Sequence, residues 1–206
     1  MAAIPSRKPV RAFQPRPLRQ ETSRSFRAAP FGFSVSNQTA SHNKSGRNDF
    51  TAELIRHAAV HSYGKHLRHC RLPEPDLGRQ TKLQTIAGYH FCLAFENSVA
   101  PDYVTEKIYD CFMAGVVPVY LGAPNVAEFA PKDSYISADA HGGPRSLATY
   151  LNYLLERPDE YGKYLAWRDK PLPQGLAAMM EATAIHPFIR LLELAMVKKN
   201  QSSATG

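Results

Sequence analysis

The sequence lacks several features that are typical of common protein classes. No apolar run reaches the roughly 18 residues that a membrane-spanning helix needs, so we expect no membrane span in this chain. The three cysteines are isolated, with no CxxC spacing, which argues against a redox motif or a zinc ribbon. No glycine-rich phosphate loop of the Walker or dinucleotide type is present. A phosphate site would therefore depend on side chains and on the end of a helix.

The positive charge is concentrated at one end of the chain. The formal net charge is +7, yet residues 1–30 hold seven arginines and lysines against one glutamate, and the rest of the chain holds 18 basic and 17 acidic groups. A nearly neutral folded part argues against a broad nucleic-acid-binding face, so we expect no nucleic-acid partner. Residues 1–30 are rich in Pro, Arg and Ser and show little apolar periodicity, which predicts a disordered basic tail.

The remaining sequence alternates between strand-like and helix-like patterns. Such alternation predicts an α/β domain with a parallel sheet and flanking helices over residues 31–172, and a helical extension over residues 173–206. Pro118 lies inside a predicted strand and suggests an edge position or a bulge. Strands are predicted over residues 31–36, 91–95, 116–120 and 134–137, and helices over 49–59, 81–87, 104–114, 146–155 and from residue 158, with a helical turn over 125–129.

Polar residues are crowded where the second predicted strand ends. The apolar run of residues 91–95 stops at Glu96 and Asn97, a loop with Pro101 follows, and Thr105 opens an amphipathic segment. This pattern predicts a strand, a loop and a helix N-terminus in succession. In open α/β sheets, ligands bind outside the carboxyl ends of the strands. The stretch is therefore the candidate ligand site.

The residue types in this stretch suit an anionic, hydroxyl-rich ligand. A helix N-terminus carries unsatisfied N–H groups and a partial positive charge, so Lys107 in the first turn opposes the helix dipole unless an anion binds there. Glu106 can accept hydrogen bonds from sugar hydroxyls, Tyr103 offers an aromatic face or a phenol, and Asn97 and Ser98 offer neutral hydrogen bonds. These groups favour a nucleotide sugar. The alternative is a solvated first helical turn with Tyr103 packed against the protein, since helix starts of this kind are common.

At these residues the sequence resembles a known family. Residues 89–98 (YHFCLAFENS), 102–108 (DYVTEKI) and 114–122 (AGVVPVYLG) are similar in order and spacing to the donor-binding domain of the α1,3-fucosyltransferases, glycosyltransferase family 10. Shorter matches are Arg47-Asn48, the strand end at residues 33–37, and Ser62-Tyr63-Gly64, where His61 replaces the family's usual acid. The resemblance covers residues 31–168. It implies a Rossmann-like parallel sheet with flanking helices, the C-terminal half of a GT-B glycosyltransferase.

The resemblance also implies roles for individual residues. Arg47 and Lys107 would neutralise the diphosphate of GDP-fucose and stabilise the leaving GDP. Glu106 would bind fucose hydroxyls and favour an oxocarbenium-like centre, which gives Arg47, Glu106 and Lys107 catalytic roles. The remaining donor-binding residues would be Glu96, Asn97, Ser98 and Tyr103. The implied donor is a substrate, so no cofactor is expected to be required, and the sequence leaves a divalent cation open.

The implied reaction is transfer of L-fucose from GDP-fucose to a glycan hydroxyl, with inversion and with an α1,3 linkage to N-acetylglucosamine expected. Such a displacement needs a general base for the acceptor hydroxyl, which in the family is a carboxylate of an N-terminal domain. We expect the base, the acceptor site and a membrane anchor to lie outside this chain. A Golgi membrane location and a glycan or glycoprotein acceptor follow from the resemblance. The alternative is a donor-binding module that binds GDP-sugar without turnover.

Overall fold

A computed structural model describes residues 31–33, 44–63, 67–68 and 70–170 of the chain. Within these ranges, none of the helices has the length and apolar character needed to cross a bilayer. Short 3-10 turns lie at Val126–Glu128, Asp139–His141 and Ala166–Asp169 in this part of the chain. The strands are β1 (Phe31–Phe33), β2 (Val60–His61), β3 (Phe91–Phe95), β4 (Val117–Leu121) and β5 (Ile136–Ser137), and the helices are α1 (Arg47–Ile55), α2 (Arg79–Ile86), α3 (Glu106–Ala114), α4 (Pro144–Leu155) and α5 (Pro158–Lys163).

The five strands form one parallel sheet in the order β2-β1-β3-β4-β5. The chain therefore moves from β1 to one side of the sheet for β2 and then crosses to the other side for β3. This reversal is the topological switch point of a doubly wound α/β fold, and ligands bind in the crevice at the carboxyl ends of the strands there. The predicted parallel sheet with flanking helices is confirmed.

The central strands are buried on both faces, which explains their uninterrupted apolar sequences. Along β3, Phe91, Leu93 and Phe95 pack in a core cluster with α1 and α4. Cys92 and Ala94 pack on the opposite face with α2 and α3. Because successive side chains of a strand point to opposite faces, one five-residue run serves both layers. Cys92 and Cys111 are thus buried free thiols.

Helix α3 begins and ends where local sequence signals place it. Thr105 has extended backbone angles and precedes the first helical residue, Glu106. Gly115 ends the helix with φ 82°, in the left-handed region that a glycine adopts without steric cost. The buried face of the helix carries Ile108, Cys111 and Phe112. Trp167 packs against the Phe112 ring with a centroid distance of 5.0 Å.

The prediction that Pro118 marks an edge strand or a bulge is wrong. Strand β4 lies between β3 and β5, and it pairs with β3 in continuous register from Val117 to Leu121. The Val117 N–H donates to the His90 carbonyl on the β3 side at 3.1 Å, so the adjacent Pro118 nitrogen faces the β5 side. Pairing with β5 begins only at Val119. The missing donor of Pro118 therefore removes no ladder hydrogen bond.

Other differences from the sequence predictions concern element boundaries. Helix α1 begins at Arg47 and ends at Ile55, rather than spanning residues 49–59. The short strand β2 lies in a segment that the sequence leaves irregular. The helices over 146–155 and from residue 158, the turn over 125–129 and the strand at 134–137 are present with shifted ends. The predictions for residues 1–30, 34–36 and 173–206 lie outside the described residues.

Candidate functional site

The candidate site lies at the carboxyl end of β3, beside the switch point of the sheet. Strand β3 ends at Phe95 and is followed by Glu96 and Asn97, while α3 starts at Glu106 a short loop later. Helix α1 starts next to the same strand end, because the backbone N–H groups of Lys44 and Ser45 both donate to the Asn97 carbonyl, at 2.9 and 3.1 Å. Two helix N-termini therefore approach one strand end.

Glu96 is the buried centre of this site. Its side chain is fully buried. Its Oε1 atom accepts a hydrogen bond from the Thr105 backbone N–H at 2.8 Å, and its Oε2 atom accepts one from the Lys107 ammonium at 3.0 Å. The Thr105 hydroxyl lies 2.8 Å from that second oxygen. A buried carboxylate is tolerated because it is paired and hydrogen-bonded in this way.

Lys107 is held on the inner side of the helix N-terminus. Only 6% of its side chain is exposed, and its ammonium donates to Glu96 Oε2 at 3.0 Å and to the Thr105 hydroxyl at 2.7 Å. Glu106 Oε1 lies farther away, at 3.8 Å. The unfavourable position of a lysine in the first turn of a helix is thus offset by a buried carboxylate, which sequence reasoning did not foresee.

Gly122 makes room for the Glu96 side chain at the end of β4. A Cβ atom at Gly122 would lie 2.6 Å from Glu96 Cγ and 2.5 Å from the Tyr120 hydroxyl oxygen. That hydroxyl accepts the Ala123 N–H at 3.0 Å, and burial raises the pKa of Tyr120 to about 12. The close approach of Glu96 and Tyr120 therefore requires glycine at position 122.

Arg47 is the first residue of α1 and is 5% exposed. Its guanidinium donates to the Phe95 carbonyl at 3.2 Å. Burial lowers the pKa of Arg47, and the nearby Glu96 and Tyr103 partly offset that effect. The Ser45 hydroxyl donates to the Glu96 carbonyl at 2.6 Å. These bonds join the start of α1 to the end of β3.

The other predicted site residues surround this buried group. The Asn97 side chain is buried, Ser98 is partly exposed, and Tyr103 is 37% exposed. The Glu106 side chain is 61% exposed and lies outside the buried ion pair. The structure thus brings Arg47 and Lys107 together around Glu96 and leaves the exposed residues at the surface beside them.

The loop that carries Tyr103 is tied to the turn after β4. The Asp102 backbone N–H donates to the Asn125 side-chain oxygen at 3.0 Å, and the Asn125 amide donates to the Asp102 carboxylate at 2.8 Å. Asp102 adopts a positive φ of 62°.

Three residues of this site were not predicted from the sequence: Asn125, Ser45 and Gly122, whose missing side chain leaves space for Glu96. The position of Thr105 at the start of a helix could be predicted from the local sequence. Its contact with Glu96 could not, because nothing in the neighbouring residues indicates it.

The site has the charge distribution of an anion-binding site. Two buried cations, Arg47 and Lys107, face one buried carboxylate, and the N-terminus of α3 adds a partial positive charge. Among the buried groups the positive charge exceeds that of Glu96, while the exposed Glu106 lies 3.8 Å from the Lys107 ammonium. A buried positive surplus at a helix N-terminus is favourable for an anion. Within the described ranges, no group of three or more His, Cys, Asp or Glu residues is arranged to hold a metal ion.

The fold is a doubly wound α/β domain of the Rossmann-like class, in which ligands bind at the switch point of the sheet. The family model described as glycosyltransferase family 10 (fucosyltransferase), C-terminal part, matches residues 27–204. The chain therefore belongs to glycosyltransferase family 10. The family resemblance carried by residues 89–122 is confirmed.

Similar proteins include enzymes with two kinds of names. Over 176 residues the chain is 36% identical to GDP-fucose protein O-fucosyltransferase 3 of Gallus gallus, covering 80% of this chain and 36% of that protein. Over 128 residues it is 35% identical to α-(1,3)-fucosyltransferase B of Drosophila melanogaster, covering 58% of this chain and 29% of that protein. The chain thus spans about a third of the length of these relatives.

A solved structure shares the fold. The crystal structure of an α1,3-fucosyltransferase with GDP-fucose superposes with a TM-score of 0.58 at 24% sequence identity, covering 72% of this chain and 41% of that one. At this level of identity the likeness concerns the fold. It agrees with the predicted Rossmann-like half of a GT-B glycosyltransferase.

Proposed function

We propose that this chain is the donor-binding part of a fucosyltransferase that uses GDP-fucose. The observation that carries the proposal is the buried group of Arg47, Glu96 and Lys107 at the N-terminus of α3, in a chain of glycosyltransferase family 10. Its excess positive charge suits a diphosphate. The names of similar proteins, which include GDP-fucose as a donor, support the same ligand.

Each residue of the site has a proposed task. Arg47 and Lys107 neutralise the diphosphate and stabilise the charge that develops on GDP as the fucosyl–phosphate bond breaks. Glu106 is exposed beside Lys107, which suits contact with fucose hydroxyls and with an oxocarbenium-like centre. Asn97, Ser98 and Tyr103 hold the nucleotide and diphosphate.

The proposed reaction is an inverting displacement at the anomeric carbon of fucose. The acceptor hydroxyl attacks, the bond to the diphosphate breaks, and a general base takes the hydroxyl proton. Glu96 is unsuited to be that base because it is fully buried and paired with Lys107. Glu106 is proposed to contact the fucose hydroxyls. We therefore propose that the general base comes from the part of the protein that binds the acceptor. GDP-fucose is a substrate, and no cofactor enters this scheme.

Two acceptor classes are proposed. The first is a glycan hydroxyl, for which we propose an α1,3 linkage to N-acetylglucosamine. One similar enzyme is named α-(1,3)-fucosyltransferase B. The second is a protein hydroxyl, because several similar proteins are named protein O-fucosyltransferase 3, with 36% identity over 80% of this chain in one of them. Either acceptor fits a protein of the Golgi membrane, which we propose as its location.

Donor binding is tested by calorimetric titration of the chain with GDP-fucose and with GDP. We expect Lys107→Ala to weaken GDP binding roughly 10- to 100-fold, because a hydrogen bond to a charged group contributes about 1.5–3 kcal/mol. The control is Lys163→Ala. Lys163 is exposed on α5, a helix that Tyr161 anchors to the His90 carbonyl at the opposite end of β3. A folded wild-type chain that binds neither ligand would contradict the proposal.

Turnover is tested separately by release of GDP from GDP-fucose. One arm adds N-acetyllactosamine, a second adds a folded protein with exposed serine and threonine hydroxyls, and a third contains no acceptor. Release that depends on one acceptor identifies its class. Binding of GDP-fucose without acceptor-dependent release supports the alternative function, a donor-binding module.

A further inference from the structure

We propose that Glu96 is a positioning residue that holds the Lys107 ammonium against the diphosphate of the donor, rather than a residue that contacts the donor itself. This inference rests on the proposed function, since it concerns how the same site binds a nucleoside diphosphate. It replaces a direct donor contact, which the sequence motif implies for Glu96, with an indirect one through Lys107.

Three side-chain contacts form a closed triangle. The Lys107 ammonium donates to Glu96 Oε2 at 3.0 Å and to the Thr105 hydroxyl at 2.7 Å, and the Thr105 hydroxyl donates to Glu96 at 2.8 Å. Each member therefore fixes the other two. A lysine has four rotatable side-chain bonds and an isotropic charge, so its position is defined only by such partners.

The donor count leaves Lys107 able to bind a ligand. An ammonium has three N–H donors, of which Glu96 and Thr105 take two. Glu106 Oε1, at 3.8 Å, is beyond hydrogen-bond reach. The third donor therefore remains for an anion at the N-terminus of α3. Without the triangle, the same side chain would be free to turn toward the exposed Glu106.

Glu96 itself is enclosed from all sides. Its side chain has no exposed surface, and both carboxylate oxygens are bound by Thr105 and Lys107. Gly122 lies against its Cγ atom, and the Ser45 hydroxyl binds its carbonyl. A ligand at the surface would have to break these contacts to reach the carboxylate. Its influence on a bound diphosphate therefore passes through the groups that it holds, and of its hydrogen-bonded partners Lys107 carries the charge.

A second buried carboxylate, that of Asp110 in α3, provides a matched structural control. Asp110 is 1% exposed and accepts from Arg79 at 2.7 Å and from Lys82 at 2.9 Å. It joins α3 to α2 and has the same kind of ion pairing as Glu96, but its partners lie on α2. Asp110→Asn should lower stability and leave GDP affinity within about twofold of the wild type.

The test is a double-mutant cycle measured as GDP affinity. Glu96→Gln keeps the shape and an acceptor for the Thr105 N–H, but its amide N–H groups then face the Lys107 ammonium as a second donor. We expect Glu96→Gln to weaken GDP binding about as much as Lys107→Ala does. The double variant should bind no more weakly than Lys107→Ala alone, because both changes remove the same interaction.

Two results would overturn the inference. Wild-type affinity in Glu96→Gln would show that Lys107 needs no positioning, and multiplied losses in the double variant would show an independent contact of Glu96 with the donor. Absence of GDP binding by the wild-type chain would instead contradict the proposed function. The two failures are therefore distinguishable.

A second variant keeps the test decisive if Glu96→Gln does not fold. Thr105→Val keeps the side-chain shape and the Glu96–Lys107 ion pair but removes the hydroxyl that binds both. It should weaken GDP binding about three- to tenfold and have no further effect in the Lys107→Ala background. Unchanged affinity in folded Thr105→Val, or an added loss in that background, would count against the triangle.

Discussion

The Glu96 carboxylate and the Lys107 ammonium form a 3.0 Å ion pair that is almost completely withdrawn from solvent. The pair joins the end of β3 to the first turn of α3, so it contributes to the fold as well as to the candidate site. Removing one partner of a buried pair leaves an uncompensated charge, which is more costly than removing both.

We therefore predict that Glu96→Leu lowers the free energy of unfolding by roughly 3–5 kcal/mol. The double variant Glu96→Leu with Lys107→Leu should be less destabilised than Glu96→Leu alone. Urea denaturation measures both values. The control is Glu156→Leu, whose side chain is 78% exposed and whose loss should cost less than about 0.5 kcal/mol. Equal losses in the single and double variants would contradict this account.

Gly122 and Gly162 form a matched pair of alanine substitutions. At Gly122 the new Cβ would lie 2.5–2.6 Å from Tyr120 and Glu96, whereas at Gly162 nothing lies within 4 Å. We expect Gly122→Ala to destabilise the protein by roughly 1–3 kcal/mol. Gly162→Ala, in α5, should stabilise it by about 0.4–1 kcal/mol. Thermal or urea unfolding checks both signs, and a neutral Gly122→Ala would show that Glu96 can shift.

Glu106→Gln should separate fucose recognition from diphosphate recognition. The Glu106 side chain is exposed and is not part of the buried ion pair, so we expect unchanged stability and GDP binding that is equal or tighter. Binding of GDP-fucose should weaken relative to GDP, because the proposed partner of the fucose hydroxyls is altered. Titration with the two ligands gives this ratio. An unchanged ratio would remove Glu106 from fucose binding.

Stability should fall when the solution is acidified from pH 7.5 to 5.5. Burial lowers the pKa of His90, so the unfolded chain, with a histidine pKa of about 6.5, binds this proton more tightly than the folded one. The contribution of neutral His90 to the free energy of unfolding is fully present above the pKa that this histidine has in the unfolded chain. It is lost as the pH falls through the lower pKa of the folded state. Urea unfolding should show a shallower pH slope for His90→Gln than for the wild type.

Part of that slope should remain in His90→Gln. Burial also lowers the pKa of His141, whose ring stacks on Tyr150 with a centroid distance of 4.4 Å. The double variant His90→Gln with His141→Gln should therefore have the shallowest slope. If the wild type and His90→Gln gave equal slopes, His90 would not be a source of the acid sensitivity.

Much of the fold follows from short-range patterns in the sequence. An apolar run of five residues predicts β3, and Gly115 predicts the end of α3, because burial and helix termination depend on residue type at neighbouring positions. The family resemblance of the stretch from Tyr89 to Gly122 identified the strand end and the helix start as one unit. Those predictions needed no knowledge of distant contacts.

Other features depend on residues that are distant in sequence. Pro118 read locally indicates an edge strand, yet β4 is interior. The proline is tolerated there because pairing with β5 begins only at Val119, so no ladder hydrogen bond needs its missing N–H. Arg47 read locally is an exposed loop residue, yet it is buried because its guanidinium bonds to the Phe95 carbonyl, 48 positions away in the chain. Such contacts leave no local periodicity.

The sequence by itself determined that a polar strand end meets a helix N-terminus over residues 95–107, and that this site resembles a nucleotide-sugar site. Only the tertiary structure decided how the charges are arranged: Glu96 inside, Lys107 held by it, and Glu106 at the surface. The physical reason is that the sequence specifies which residues are charged. The packing of β4, Gly122 and α1 around the end of β3 determines which of these charged side chains are buried.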